Sequence, residues 1–211
     1  SSAASDVYKR QELEADRPVA QSCGECDLCL RTCPTGALLE AHVLDPYRCV
    51  SYLTQVKGFI PLEYRPLMGT KIYGCDTCQL VCPANREIAM GKTTEFLPDP
   101  ERIYPSLAEM LKLTNRRFKK MYGESAAGWR GRTVLQRNAL IALGNLKKKD
   151  TLRDILECLK DERPVIRGHA AWALGEINES SALPELQQVL EPEQDCQAAA
   201  EMALAISKLS R

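Results

Sequence analysis

Eight of the ten cysteines of this 211-residue chain fall between Cys23 and Cys82. Cys23, Cys26, Cys29 and Cys33 form a C-x-x-C-x-x-C-x-x-x-C run closed by Pro34, and Cys75, Cys78 and Cys82 repeat its C-x-x-C-x-x-x-C ending before Pro83. Thiols at this spacing bring several sulfurs to one small volume through a short loop, at modest entropic cost. An iron–sulfur cube asks this of its protein. A disulfide scaffold would need an oxidising compartment and usually a smaller, core-poor domain, so reduced metal ligands are the better reading.

The first run has the spacing of bacterial ferredoxins, in which three cysteines bind one [4Fe–4S] cluster and the fourth ligates the other. The second half lacks an opening cysteine, because Lys71, Ile72 and Tyr73 occupy that region, and Cys49 stands unpaired between the halves. The count closes with Cys23, Cys26, Cys29 and Cys82 on one cluster and Cys33, Cys49, Cys75 and Cys78 on the other. Two zinc tetrads are the competing chemistry. Structural zinc sites usually use paired C-x-x-C knuckles, so the triple run with crossing C-P ligands discriminates against them. Cys158 and Cys196, beside Ile155, Leu156, Leu159 and Ala199, Ala200, read as small buried hydrophobes. His42 and His169 sit at no ligand spacing and read as structural.

The elements that must position these thiols differ along the chain. The formal net charge is +0, but residues 96–150 carry 12 basic against 5 acidic residues, between two acidic flanks. From Lys112 to Arg137 there are eight basic residues and the single acid Glu124. Such a belt suits a polyanion, with Arg fitted to bidentate phosphate contact and Trp129 offering either a stacking face or a core side chain. Beyond it, Ala142-Leu143-Gly144-Asn145-Leu146 recurs 31 residues later as Ala173-Leu174-Gly175-Glu176-Ile177, and more loosely as Ala205-Ile206-Ser207-Lys208-Leu209. Apolar-periodic stretches at Leu152 to Leu159 and Leu183 to Leu190 lie between, and Pro164 and Pro184 fit first helical turns. Helix pairs at this period mark an α-solenoid. No stretch is apolar enough to span a bilayer and no signal peptide is apparent, so a soluble, cytoplasmic chain is expected.

The double-cluster motif, Arg48-Cys49-Val50-Ser51-Tyr52-Leu53-Thr54, Gly74-Cys75-Asp76-Thr77-Cys78-Gln79-Leu80-Val81-Cys82-Pro83 and the short HEAT-like repeats together resemble the epoxyqueuosine reductase family, from about Glu12 to the end. The resemblance implies an α-rich α+β fold: a ferredoxin-like double [4Fe–4S] module over 12–95, a basic helical linker over 96–132 and a HEAT-like repeat domain over 133–211. Residues 1–11 read as a non-native or disordered leader, and the chain as a portion lacking the family's N-terminal cobalamin-binding part and its proton donor, hence inactive alone. The family removes the epoxide oxygen from epoxyqueuosine at the tRNA wobble position, using cobalamin and two [4Fe–4S] clusters. By resemblance, Ser51 and Asp76 neighbour the cobalamin, and Arg130, Arg132, Thr133, Arg137 and Asn138 contact tRNA. A helix N-cap is the structural alternative for Thr133. Implied partners are tRNA and a one-electron reductant such as a flavodoxin or ferredoxin, with no membrane and a monomeric state. An electron carrier with a protein-binding solenoid, or a corrinoid-dependent reductive dehalogenase relative, would fit parts of the pattern.

Overall fold

The computed structural model describes residues 23–88, 91, 93–94, 97 and 99–210. The expected leader at 1–11, the stretch 12–22 and several positions between 89 and 98 lie outside the described residues.

The cysteine-bearing part is built from short pieces that bend around the thiols. Helix α1 (Leu28–Thr32) is followed by a hairpin of β1 (Leu38–Glu40) and β2 (Val43–Leu44), which pair antiparallel with Leu38 opposite Leu44. His42 makes the hairpin turn at a φ of 65°. Then come α2 (Val50–Leu53), α3 (Arg65–Met68) and α4 (Thr77–Leu80). Helices α1 and α4 pack together, so the two C-x-x-C-x-x-x-C-P halves meet. Each crossing cysteine follows its helix in extended backbone, Cys33 at ψ 115° and Cys82 at ψ 122°, and the proline behind it cannot donate to a continued helix.

The basic segment folds as α5 (Pro100–Ile103), α6 (Leu107–Leu111), α7 (Asn115–Tyr122) and α8 (Ala126–Arg130). Ser106, Thr114 and Ser125 cap the last three, their hydroxyls accepting from the amides of Glu109, Arg117 and Gly128. Helix α7 buries Phe118 and Tyr122 and turns Arg116, Arg117, Lys119 and Lys120 to solvent.

The repeats follow as α9 (Arg132–Leu146), α10 (Leu152–Cys158), α11 (Pro164–Ile177), α12 (Leu183–Leu190) and α13 (Cys196–Leu209). Pro164 and Pro184 stand in first turns, as their fixed φ favours. Helix α9 packs on α11 and α11 on α13. The recurring glycine has a physical reason. A Cβ at Gly144 would lie 2.7 Å from the Trp172 ring and 3.1 Å from the Ala173 Cα, and one at Gly175 would lie 3.2 Å from the Ala205 Cα. Glycine there lets successive helices approach closely. Leu140, Leu143 and Leu174 are buried at these contacts, each stabilising the array by about 1.5–3 kcal/mol.

One apolar core runs through both parts, joining Val50, Leu53, Ile60 and Met68 to Leu135, Leu140 and Leu174. Polar groups pin the join. Arg137 is 1% exposed and commits all five of its N–H groups: Nη1 to the carbonyls of Val56 and Gly58, Nη2 to that of Leu53, and Nε and Nη2 to Asn138 Oδ1. Asn138, fully buried, donates to the carbonyls of Thr54 and Ile72 at 2.7 and 2.6 Å. Both residues, expected as RNA contacts, stand here as clamps whose donors are committed within the chain. Cys196 is corrected. It is exposed on the first turn of α13, where Asp195 caps the helix, and is not a buried hydrophobe. Cys158 does pack against the core, and burial pushes its thiol up to about 12.

His169 is buried in the same join, stacked on Phe59. The Ile60 amide donates to its Nε2 at 3.3 Å, so the proton sits on Nδ1 and faces the Val165 carbonyl at 2.7 Å. Burial, with the Arg65 and Arg137 guanidinia adding to it, holds the imidazole well below the ordinary histidine range. Folding thus favours the neutral form. Its contribution is complete above about pH 6.5, the ordinary histidine value, and is lost as pH falls below it, with a slope of about 1.4 kcal/mol per pH unit. Denaturation midpoints between pH 7.5 and 5.5 (about one unit above and below that value) should fall more steeply for the native chain than for His169→Gln; equal slopes would refute the assignment.

Candidate functional site

The thiols of the two tetrads line the short elements between Cys23 and Cys82. Cys29 lies within α1 and Cys78 within α4, while Cys33, Cys49 and Cys82 stand in extended backbone at helix boundaries. Cys49, distant in sequence from its partners, comes into the electrostatic range of Cys78 together with Cys75. Burial pushes the Cys78 thiol up, and the charges of Cys75 and Cys49 add to that rise. Burial alone would also raise Cys33, but the Thr35 hydroxyl and the amides of Ala37, Thr35 and Leu38 outweigh it and leave the thiol below its ordinary value. A lowered thiol is the readier metal ligand.

Among the described residues, no three His, Cys, Asp or Glu side chains gather closely enough to hold a single ion. The sulfur-only donor set fits iron–sulfur cubes.

Two threonines escape the motif reading. Thr35 Oγ1 lies 3.7 Å from Cys33 Sγ, and Thr77 Oγ1 lies 3.3 Å from Cys75 Sγ. The Ala37 amide donates to Cys33 Sγ at 3.3 Å. Arg48 holds this loop, donating from Nη2 to the Thr35 carbonyl at 2.8 Å. The signal in the sequence is the repeated Cys-x-Thr, at Cys33 and again at Cys75.

Ser51 and Asp76 flank Cys49 and Cys75. Ser51 is half-buried, its carbonyl accepting from Thr54 Oγ1 and Gln55 Nε2. Asp76 is exposed and its carboxylate does not cap α4. Of the expected RNA contacts outside the clamp, Thr133 accepts from Arg163 Nη1 at 2.8 Å and is not the helix cap, which Gly131 forms. Arg132 Nη1 donates to the Leu113 carbonyl at 2.8 Å. Arg130 lies over Trp129, its Cζ 5.1 Å from the ring centre, and Trp129 is 84% exposed, which decides for a surface platform over a core residue. Beside them, Lys57, Gly58, Arg130, Thr133, Val134, Arg137 and Val165 line a cavity of about 320 Å³. Elsewhere in the belt Lys112 pairs with Asp154 and Arg117 with Glu109, whereas Arg116, Lys119 and Lys120 form no ion pair among the described residues.

Residues 22–85 match the model of a 4Fe-4S double cluster binding domain, and residues 131–205 match HEAT repeats. A Geobacillus stearothermophilus protein encoded in the gldA 3′ region is 46% identical, over 92% of this chain and 90% of its own length. The epoxyqueuosine reductase of Bacillus subtilis is 45% identical over 93% of this chain and 51% of its own. A crystal structure of epoxyqueuosine reductase with an epoxyqueuosine-modified tRNA-Tyr stem loop superposes with a TM-score of 0.91 at 44% identity, covering 94% of this chain and 53% of that one. The chain thus spans about half the length of the epoxyqueuosine reductases it matches. No described helix is long and apolar enough to cross a membrane.

Proposed function

Because this chain belongs to the epoxyqueuosine reductase family, we propose that it is the electron-delivering and RNA-docking portion of an enzyme that reduces epoxyqueuosine to queuosine in tRNA. The observation that carries the reading is one continuous core joining a sulfur-only donor set to a repeat array with an exposed Trp129–Arg130 platform.

Two [4Fe–4S] clusters, when bound, supply one-electron transfer. Cys23, Cys26, Cys29 and Cys82 hold one and Cys33, Cys49, Cys75 and Cys78 the other. The short loops fix the sulfurs in place, and half-burial limits water around Cys29, Cys33, Cys49, Cys75, Cys78 and Cys82, while Cys23 and Cys26 are exposed. Cobalamin is the second cofactor of the family; here Ser51 and Asp76, beside two thiols of one tetrad, are the residues that would approach it, and the remainder of its site falls to residues beyond this chain. The protein positions such groups and leaves the difficult chemistry to them. A small flavodoxin or ferredoxin is the fitting electron donor, and a monomer in the cytoplasm is the state assigned.

For RNA, the docking face consists of Arg130 and Trp129 with Lys57 at the cavity edge and Arg116, Lys119 and Lys120 on α7. Arg132 and Thr133 support it from the start of α9. A base stacks on the exposed indole and the cations meet phosphates. An anticodon stem loop should bind with an affinity that drops steeply between about 50 and 200 mM salt. Arg130→Gln should reduce the slope of log K against log salt by about one. Anisotropy titrations check this; binding indifferent to both salt and the Arg130 substitution would remove the RNA half of the proposal.

A further inference from the structure

The two tetrads differ in what stands behind their sulfurs. Two residues after Cys33, Cys49 and Cys75 come Thr35, Ser51 and Thr77, each carrying a hydroxyl, and Leu80, without one, follows Cys78. Two residues after Cys23, Cys26, Cys29 and Cys82 come Glu25, Leu28, Arg31 and Ala84, none of which does. Thr77 Oγ1 is 3.3 Å from Cys75 Sγ and Thr35 Oγ1 is 3.7 Å from Cys33 Sγ. Ser51 keeps the register but turns its Oγ to accept from Gln55 Nε2 at 3.5 Å. Among the described residues, no hydroxyl reaches a sulfur of the other tetrad. A metal-bound thiolate has no proton, so each threonine must be the donor.

Such a donor interacts more strongly with the cluster after it has gained an electron and become more negative. Hydrogen bonds to the sulfurs are among the determinants of cluster potential. We propose that Thr35 and Thr77 are tuning residues that raise the reduction potential of the cluster held by Cys33, Cys49, Cys75 and Cys78, and so favour electron transfer to it from the cluster held by Cys23, Cys26, Cys29 and Cys82. One electron leaves the first cluster and enters the second; no bond forms or breaks, and each hydroxyl proton stays on its threonine. The inference rests on the double-cluster reading above.

The test is an EPR-monitored redox titration of the whole chain, prepared anaerobically with its clusters loaded and using dithionite as the one-electron reductant. Thr35→Val and Thr77→Val keep the side-chain shape and remove the hydroxyl. Each should shift the oxidised-to-reduced balance of one signal by about tenfold, a fall of about 59 mV in midpoint. The other signal should stay in place, and Thr77→Ser should restore the native value. Loss of the tuned signal in Cys49→Ala identifies it with the second tetrad. Should buried Thr35 prove necessary for loading, half-buried Thr77 still decides. Unmoved midpoints, equal shifts of both signals, or a Ser variant that behaves like Val would overturn the proposal. An unsubstituted chain with zinc or a single cluster signal would overturn the double-cluster reading first, and this inference with it.

Discussion

Glu201→Ala is expected to destabilise the chain by about 3–5 kcal/mol, a large share of the stability of an ordinary domain. Arg65, in the cysteine-bearing part, is 1% exposed and donates from Nη1 and Nη2 to the two carboxylate oxygens of Glu201 in the third repeat, at 2.8 and 2.5 Å. Its Nε donates to the Ile60 carbonyl, and its guanidinium lies 5.5 Å from the centre of the Trp172 ring. Removing the carboxylate strands a buried cation whose hydration was given up on folding. Replacing both partners by apolar side chains, Arg65→Met with Glu201→Leu, should recover most of the loss, because desolvation then disappears with the charges. Urea denaturation of the cluster-loaded chain, followed by helical signal and by visible absorbance, measures this. The two transitions should coincide, since the pair joins both parts. A loss below about 1 kcal/mol, the range of an exposed pair, would show that the pair is solvated.

Cys49→Ala should remove one cluster and spare the other, taking the iron content from about eight atoms per chain to about four and leaving a single EPR signal. Cys49 is brought within electrostatic range of Cys78 by the turn of Pro46–Arg48, which Asp45 caps by accepting from the Tyr47 amide at 3.0 Å. No other cysteine of the described part is free to replace it, because Cys158 is packed among the repeats and Cys196 lies on α13. Cys82→Ala should give the complementary loss. Full iron content with both signals intact in Cys49→Ala would refute the ligand partition.

The features legible in the sequence are those governed by local spacing. Ligand loops depend on neighbouring residues, and helix pairs announce themselves by period and by the glycine that lets Gly144 face Trp172. What the sequence concealed depends on approach between distant segments. Arg137 sits in a basic run and looks like its neighbours there; only the carbonyls of Leu53, Val56 and Gly58, about eighty residues earlier, distinguish it. Asn138 is hidden for the same reason. Cys196, followed by alanines, suggested burial, yet the side chain of Asp195 caps α13 and sets the first-turn thiol outward. An indole beside an arginine suits a core or a surface equally, and only the exposure of Trp129 separates the two. Cys-x-Thr was visible all along, but a threonine two residues from a cysteine gains meaning only when its oxygen is seen near the sulfur.

The grip of α9 on the segment from Leu53 to Gly58 has a consequence for scale. That segment begins four residues after Cys49, so the repeat array and the thiols share one frame with no slack between them. Cargo moored on the array stands at a set reach from the sulfurs, as on a gauge. Extending the array at its far end would change how firmly a cargo is held while leaving that reach untouched.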